Sequence, residues 1–404
     1  MRPWLATLFL GVLASGAATA AEKPYYHERL IFPLQAKHVH SSSVVECPNG
    51  DLMCAWFSGS GERVTPDVEI RGARLKRGDA AWSDVFPMAD TPNLPDHNPV
   101  LFITPQQELW LFWIVVPADR WEDSLLRVRM ARDYMSDGPP KWYWQDLLLL
   151  KPGDRFAKEM AKGFDQLRRT LPAHDPRQRM IAAYAARLRR QSRDKSRRQR
   201  GWMTRCHLVV LPSGRILLPL YSDGFLACLM AISDDQGKSW RASAPIIGAG
   251  LNQPSVVRRR DGTLLAYMRE EEDLKHRVLL SESHDDGETW SLAVSTDLPN
   301  PNSSLEALVL RDGRWVLVYN DSEVDRHTLL LALSDDEGHT WLWRRHLENT
   351  PGGRFHYPSI IQTRDGRINL TYTYQPGPRT GKSIKHVTLD PDWIKLGDKP
   401  GEKP

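Results

Sequence analysis

One eight-residue pattern occurs three times in this chain: Ser233-Asp234-Asp235-Gln236-Gly237-Lys238-Ser239-Trp240, Ser283-His284-Asp285-Asp286-Gly287-Glu288-Thr289-Trp290 and Ser334-Asp335-Asp336-Glu337-Gly338-His339-Thr340-Trp341. Successive copies begin about fifty residues apart, a period that belongs to propeller-type repeats rather than to one wound sheet. The residue types explain a structural job. The third-position Asp can accept backbone N–H groups in a tight turn, the Gly can take a positive φ, and the Trp can fill the gap to the next sheet. Each copy therefore reads as a hairpin staple, with no direct part in chemistry.

A second repeat sets the number of units. A turn followed by an apolar strand recurs at Pro48-Asn49-Gly50, Pro105-Gln106-Gln107, Pro212-Ser213-Gly214, Asp261-Gly262, Asp312-Gly313 and Asp365-Gly366. Short alternating runs on either side, such as Leu109-Trp110-Leu111-Phe112-Trp113, mark hairpins. Six turns predict an all-β, six-bladed propeller. The interval between the second and third turns is about double the others, so a segment is inserted between those repeats.

That insertion, residues 151–200, breaks the strand pattern. Phe156, Met160, Phe164, Leu167 and Leu171 recur at helical spacing, and Met180, Ile181, Tyr184 and Leu188 mark a second helix over 178–193. The segment holds sixteen Lys or Arg against five Asp or Glu, while the whole chain carries a formal charge of +4. The remainder is therefore acidic, and the insert is a basic surface available to a polyanion. Its basic run lacks the interleaved aromatics expected of a nucleic-acid site, so no nucleic acid is expected as partner.

Residues 1–20, with Arg2 ahead of an apolar run and small residues ending at Ala20, read as a secretory signal peptide. The expectation is a single propeller domain over 21–404, periplasmic or secreted and without a transmembrane segment. Cys47, Cys54, Cys206 and Cys228 are too few for a disulfide scaffold and lack zinc-ligand spacing. No metal or other cofactor is expected.

Chemistry belongs at the axis, where the innermost strands of all blades converge. Those strands begin with His38-Val39-His40, Asp96-His97-Asn98, Thr204-Arg205-Cys206-His207, Asn252-Gln253, Asn302-Ser303-Ser304-Leu305-Glu306 and His356-Tyr357, polar where apolar strand would be expected. Nearby strand ends add Tyr221, Asp223, Arg269 and Arg326. The four histidines come from different blades without ligand spacing, which suits hydrogen bonding to sugar hydroxyls better than a metal.

The repeated Ser-x-Asp-x-Gly-x-Ser/Thr-Trp pattern resembles the Asp boxes of the sialidase (neuraminidase) superfamily, which sit on propeller hairpins away from the substrate face. Within that superfamily the chain looks most like the bacterial BNR-repeat proteins. The resemblance implies a tyrosine nucleophile at Tyr357, an acid/base at Asp67 and carboxylate-binding arginines at Arg269 and Arg326. A neutral phenol can approach an anomeric centre bearing a carboxylate without charge repulsion, but it needs a neighbouring base. The superfamily supplies a Glu where this chain has Gln253, and Glu306 is the candidate replacement. Its first carboxylate-binding Arg is His40 here, a poorer reader of carboxylates.

The expected function is hydrolysis of an acidic sugar, a sialic acid or a uronate-type glycan. Catalytic roles fall to Tyr357, Asp67 and Glu306, and substrate contacts to Arg269, Arg326, Gln253, Asn252, His40, His97, Asn98, Arg205, His356 and Asp223. Two alternatives stay open: a uronate-cleaving lyase using Tyr357 and His356, and a carbohydrate-binding propeller without catalysis.

Overall fold

A computed structural model describes residues 23–170, 172, 174, 177–271 and 275–398. The segment read as a signal peptide lies outside them, as do Leu171 and the Met180 side chain. Six antiparallel sheets surround one axis. Their innermost strands are His38–Glu46 in blade I, Asp96–Ile103 in blade II, Met203–Thr204 with Val209–Val210 in blade III, Leu251–Arg258 in blade IV, Glu306–Val309 in blade V and Arg354–Gln362 in blade VI.

Blade VI is completed from the other end of the chain. Its strands Arg354–Gln362, Ile368–Gln375 and Ser383–Leu389 are followed at the outer edge by Tyr26–Leu30, paired antiparallel from Tyr26 opposite Leu389 to Leu30 opposite Lys385. This pairing closes the ring by building the last blade from strands that precede blade I and follow blade V.

The six inner hairpins share one turn. Residues 50, 107, 214, 262, 313 and 366 all have φ between 62° and 97°. Each donates its N–H to the carbonyl three residues earlier, as Gly50 does to Cys47 at 2.9 Å and Gln107 to Thr104 at 2.8 Å. Five of the six are Gly, the residue that takes this conformation without strain.

The three Asp-box turns repeat one set of bonds. Asp285 accepts from Thr289 N at 2.9 Å, Thr289 Oγ1 at 2.5 Å and Ser283 Oγ at 2.9 Å, and Ser283 Oγ accepts from Gly287 N at 3.0 Å. Asp235 and Asp336 make the same contacts within their own boxes. The box tryptophans then bridge blades: Trp240 packs edge-on to Trp110 of blade II with centroids 6.4 Å apart, and Trp341 meets Tyr267 of blade IV at 6.1 Å.

The insertion is helical and lies outside the blades. Helix α1 (Asp154–Thr170) buries Phe156, Met160, Phe164 and Leu167, and helix α2 (Arg177–Gln191) turns Ile181, Ala185 and Leu188 inward. These residues join a core shared with blades II, III and IV; Phe156 meets Trp202 and Phe225 with centroids 5.8 and 5.2 Å away. A further short helix, Lys195–Arg198, extends the insert beyond the expected pair and is capped by Asp194, which accepts from Ser196 N at 2.9 Å. All four cysteines are buried and free.

Candidate active site

Four inner strands carry the same irregularity. In blade VI, His356 pairs with Thr373 and the ladder resumes with Ser359 opposite Thr371, so Tyr357 and Pro358 together oppose one residue. Blades I, II and IV break in the same way after His40, His97 and Asn252. The first bulged residue is left-handed each time: Ser41 at φ 56°, Asn98 at 49°, Gln253 at 51° and Tyr357 at 58°. A left-handed non-glycine residue costs roughly 1–2 kcal/mol, and a bulge re-aims a side chain. Here the bulges turn Asn98, Gln253 and Tyr357 into one axial cavity.

The cavity measures about 230 Å³ and is lined by His40, Phe57, Glu62, Asn98, Trp121, Tyr221, Asp223, Asn252, Gln253, Arg269, Glu271, Arg326 and Tyr357. Arg269 Nη1 donates to the Tyr357 hydroxyl at 2.7 Å, and Gln253 Nε2 donates to the same oxygen at 3.0 Å. Gln253 also reaches the Tyr221 hydroxyl at 3.4 Å, while Asn98 Nδ2 donates to that hydroxyl at 3.0 Å. The Gln253 orientation follows from its carbonyl oxygen, which accepts from Arg269 Nη1 at 3.3 Å. Neither phenol donates to a protein acceptor among the described residues, so both O–H groups are available to a ligand.

Two guanidinium groups face Tyr357 in addition to Arg269. Arg205 lies 5.1 Å from its ring centroid and donates to Pro358 O at 2.5 Å, holding the bulge from beneath. Arg326 lies 5.6 Å from the same ring and donates to Asn302 O at 2.5 Å. Arg269 is paired with Glu271 at 3.7 Å, whereas Arg326 has no ion pair among the described residues. Burial, with repulsion from Arg269 and Arg354, brings Arg326 down to about 10, which leaves it charged at neutral pH.

The acidic groups of the cavity differ in environment. Burial and the adjacent Glu271 carboxylate push Asp223 up to about 7, and Asn252 Nδ2 donates to Asp223 at 3.1 Å and also to Glu271. Across the cavity Glu62 Oε1 lies 3.1 Å from His38 Nε2, and this close contact holds its carboxyl below the usual range. Burial keeps His40 and His356 well below the usual imidazole range, so both are neutral at physiological pH. The His40 ring lies 4.0 Å from the Tyr357 ring, centroid to centroid, and its Nδ1 contacts Thr373 Oγ1 at 2.9 Å.

Eight residues expected at the site thus share the cavity: Tyr357, Arg269, Arg326, Gln253, Asn252, His40, Asn98 and Asp223. The others lie elsewhere. His97 is wedged between Phe57 and Trp121, with centroids 4.5 and 5.0 Å away, and burial lowers it to about 4. Arg205 and His356 sit behind Tyr357. Asp67 is exposed and outside the cavity lining, where it accepts from Ser60 N at 3.0 Å and Ser60 Oγ at 2.7 Å. Glu306 lies off the cavity with both oxygens engaged, one by His207 Nδ1 at 2.9 Å and the other by Ile360 N at 2.9 Å. Burial alone would raise Glu306, but His207 and Arg205 outweigh it and hold the carboxylate low. Sequence reasoning missed Phe57, Glu62, Trp121 and Glu271. Of these, only Glu271 carried a signal, its proximity to Arg269.

Residues 50–158 and 198–370 match the BNR repeat-like domain family. The unmatched gap coincides with the helical insert. The chain belongs to this family and is a sialidase-like BNR-repeat protein. An anhydrosialidase from Macrobdella decora is 25% identical over 195 residues, which are 43% of this chain and only 25% of that protein. Among solved structures, the NanB sialidase from Streptococcus pneumoniae superposes with a TM-score of 0.67 at 12% identity, over 91% of this chain and 71% of that one. The intramolecular trans-sialidase from Ruminococcus gnavus gives 0.65 at 12% identity, over 90% and 96%. A protein of unknown function from Dyadobacter fermentans gives 0.65 at 16%, over 90% and 97%. At these identities the superpositions establish the shared fold. Among the described residues no helix is long and apolar enough to cross a membrane.

Proposed function

We propose that this chain is an exported glycoside hydrolase of sialidase type that takes an acidic sugar into the axial cavity. The observation that carries this reading is Arg326, a half-buried guanidinium beside Tyr357 with no carboxylate partner among the described residues. A partly desolvated charge without a counter-ion, facing a cavity, is well placed to take a ligand carboxylate. The two free phenolic O–H groups and Asn98 suit the remaining oxygens of a sugar.

In this reading Arg326 and Arg269 hold the carboxylate. Tyr357 attacks the anomeric carbon as the bond to the aglycone oxygen breaks, its phenolic proton passing to water while the acid/base protonates the departing oxygen. A second water then hydrolyses the tyrosyl intermediate with retention. Glu62, in the same loop as Asp67 but lining the cavity, is the better acid/base candidate. Gln253 supports a second reading, a pocket that holds the sugar without cleaving it, because an amide cannot take the Tyr357 proton.

The test is to incubate the protein with sialosides and with uronate glycans, measuring binding and product release separately. Hydrolysis with retained stereochemistry, lost in Tyr357→Phe, supports the enzyme. Gln253→Glu sharpens the choice, since it sets a proton acceptor where the amide now lies 3.0 Å from the phenol. Tight binding with no turnover in either the native protein or Gln253→Glu would leave the binding reading.

A further inference from the structure

The insert creates a second recess remote from the axis. Helix α1 lies against blades III and IV along a groove of about 790 Å³. Gly163 permits this approach: a Cβ there would collide with Ile247 Cδ1. A mid-helix Gly costs roughly 1 kcal/mol against Ala, offset here by close packing on the propeller.

Arg155, Lys162 and Arg169 line the groove at intervals of seven residues along one edge of α1, and all three are exposed. On a helix that spacing sets neighbouring cations ~10.5 Å apart along the axis. The one carboxylate in the lining, Glu159, is already paired with Arg155 at 3.5 Å. The opposite wall is the end of an Asp-box turn, where half-buried Trp290 lies between the hydroxyls of Thr289 and Ser291. The Trp290 indole N–H is spent on Gly287 O at 3.1 Å, which leaves the ring to act as an apolar surface.

The geometry points to a docking groove for an extended anionic polysaccharide, seated with a pyranose face on Trp290 and its charges along the α1 cations. Widely spaced cations suit a polymer charged once per disaccharide. A nucleic-acid duplex carries a phosphate about every 3.4 Å on each strand and would leave most of them unmatched. A lipid surface is flat, and this site is recessed between two walls. The groove would retain the protein on a charged glycan while the axial cavity works on chain ends, and its occupancy does not depend on what the cavity does.

The test uses the full chain and hyaluronan, which carries one carboxylate per disaccharide, with neutral dextran as control polymer, followed by calorimetry and tryptophan fluorescence. Lys162→Glu with Arg169→Glu should weaken hyaluronan binding at least tenfold and flatten its salt dependence. Trp290→Ala should weaken it severalfold, and dextran should not bind. The control pair Arg190→Glu with Arg193→Glu makes the same change in net charge on exposed positions beyond the groove lining. Equal loss in that control would reduce the effect to a diffuse field and overturn the groove. So would unchanged affinity in the groove variant. Arg326→Ala should leave hyaluronan binding intact; loss there would mean that the axial cavity holds the polymer. Far-ultraviolet circular dichroism confirms that each variant is folded before it is scored.

Discussion

The Asp-box turns and the axial bulges are both backbone devices repeated around one ring, and they treat side chains in opposite ways. Three boxes repeat the same Ser, Asp, Gly and Trp with the same bonds, so their residues are fixed by the turn. Four bulges repeat a backbone kink and carry Ser41, Asn98, Gln253 and Tyr357, all different. Where geometry alone is needed, repetition keeps the residue. Where one cavity must offer different groups to one ligand, the kink is kept and the residue diverges.

The largest effect should come from the bulge that carries Tyr357. Tyr357→Phe is expected to abolish turnover of any hydrolysed acidic glycoside while changing affinity little, as measured by product release against calorimetry. Loss of affinity on the same scale as turnover would make Tyr357 a binding residue. Next, Arg326→Ala should weaken acidic-sugar binding by at least tens-fold, since a charge-assisted contact in a partly dry site is worth on the order of 2–5 kcal/mol. If a neutral sugar loses as much affinity, the carboxylate assignment fails.

A box substitution should act on stability instead. Asp285→Ala removes three hydrogen bonds, so unfolding free energy should fall by about 1–2 kcal/mol with ligand affinity unchanged. A change in affinity without a change in denaturation midpoint would break the contrast between turn and site.

The smallest effect concerns pH. Asp223 is raised to about 7, above its unfolded value, so the native protein holds a proton there that the unfolded chain has released. Its contribution to stability therefore falls as pH rises from about 4 towards 7 and is level beyond. Affinity for an acidic sugar should likewise drop severalfold across pH 7, as Asp223 becomes an anion beside the ligand. Asp223→Asn should flatten that limb, and a limb that survives the substitution would assign it to another group.

The ring was legible because its signals are local. Gly at positive φ, a terminal Trp and a helical stripe at Phe156, Met160 and Phe164 each follow from nearby residues. The cavity was legible only as a set of polar strand starts. His97 and Asn98 are adjacent in sequence, yet one is packed between aromatic rings and the other lines the cavity, because the bulge falls between them. No local pattern states where a ladder slips; pairing with the second strand decides it. The choice of Glu62 over Asp67 at the cavity wall depends similarly on how a loop folds back on His38. Ring closure was invisible for a related reason: Tyr26–Leu30 is short and mostly polar, and only its partner strand makes it a strand.

That closure has a consequence for biosynthesis. Tyr357 belongs to a sheet whose outer strand is made before blades I to V and whose other three are made after them. Blades I to V can assemble in order as the polypeptide emerges, but the nucleophile candidate is not locked beside Gln253 and Arg269 until blade VI has been made and the early strand has found its late neighbour. A chain that stops before blade VI therefore carries most of the cavity wall but lacks Tyr357, and the competent site waits on the blade built from both sides of the sequence.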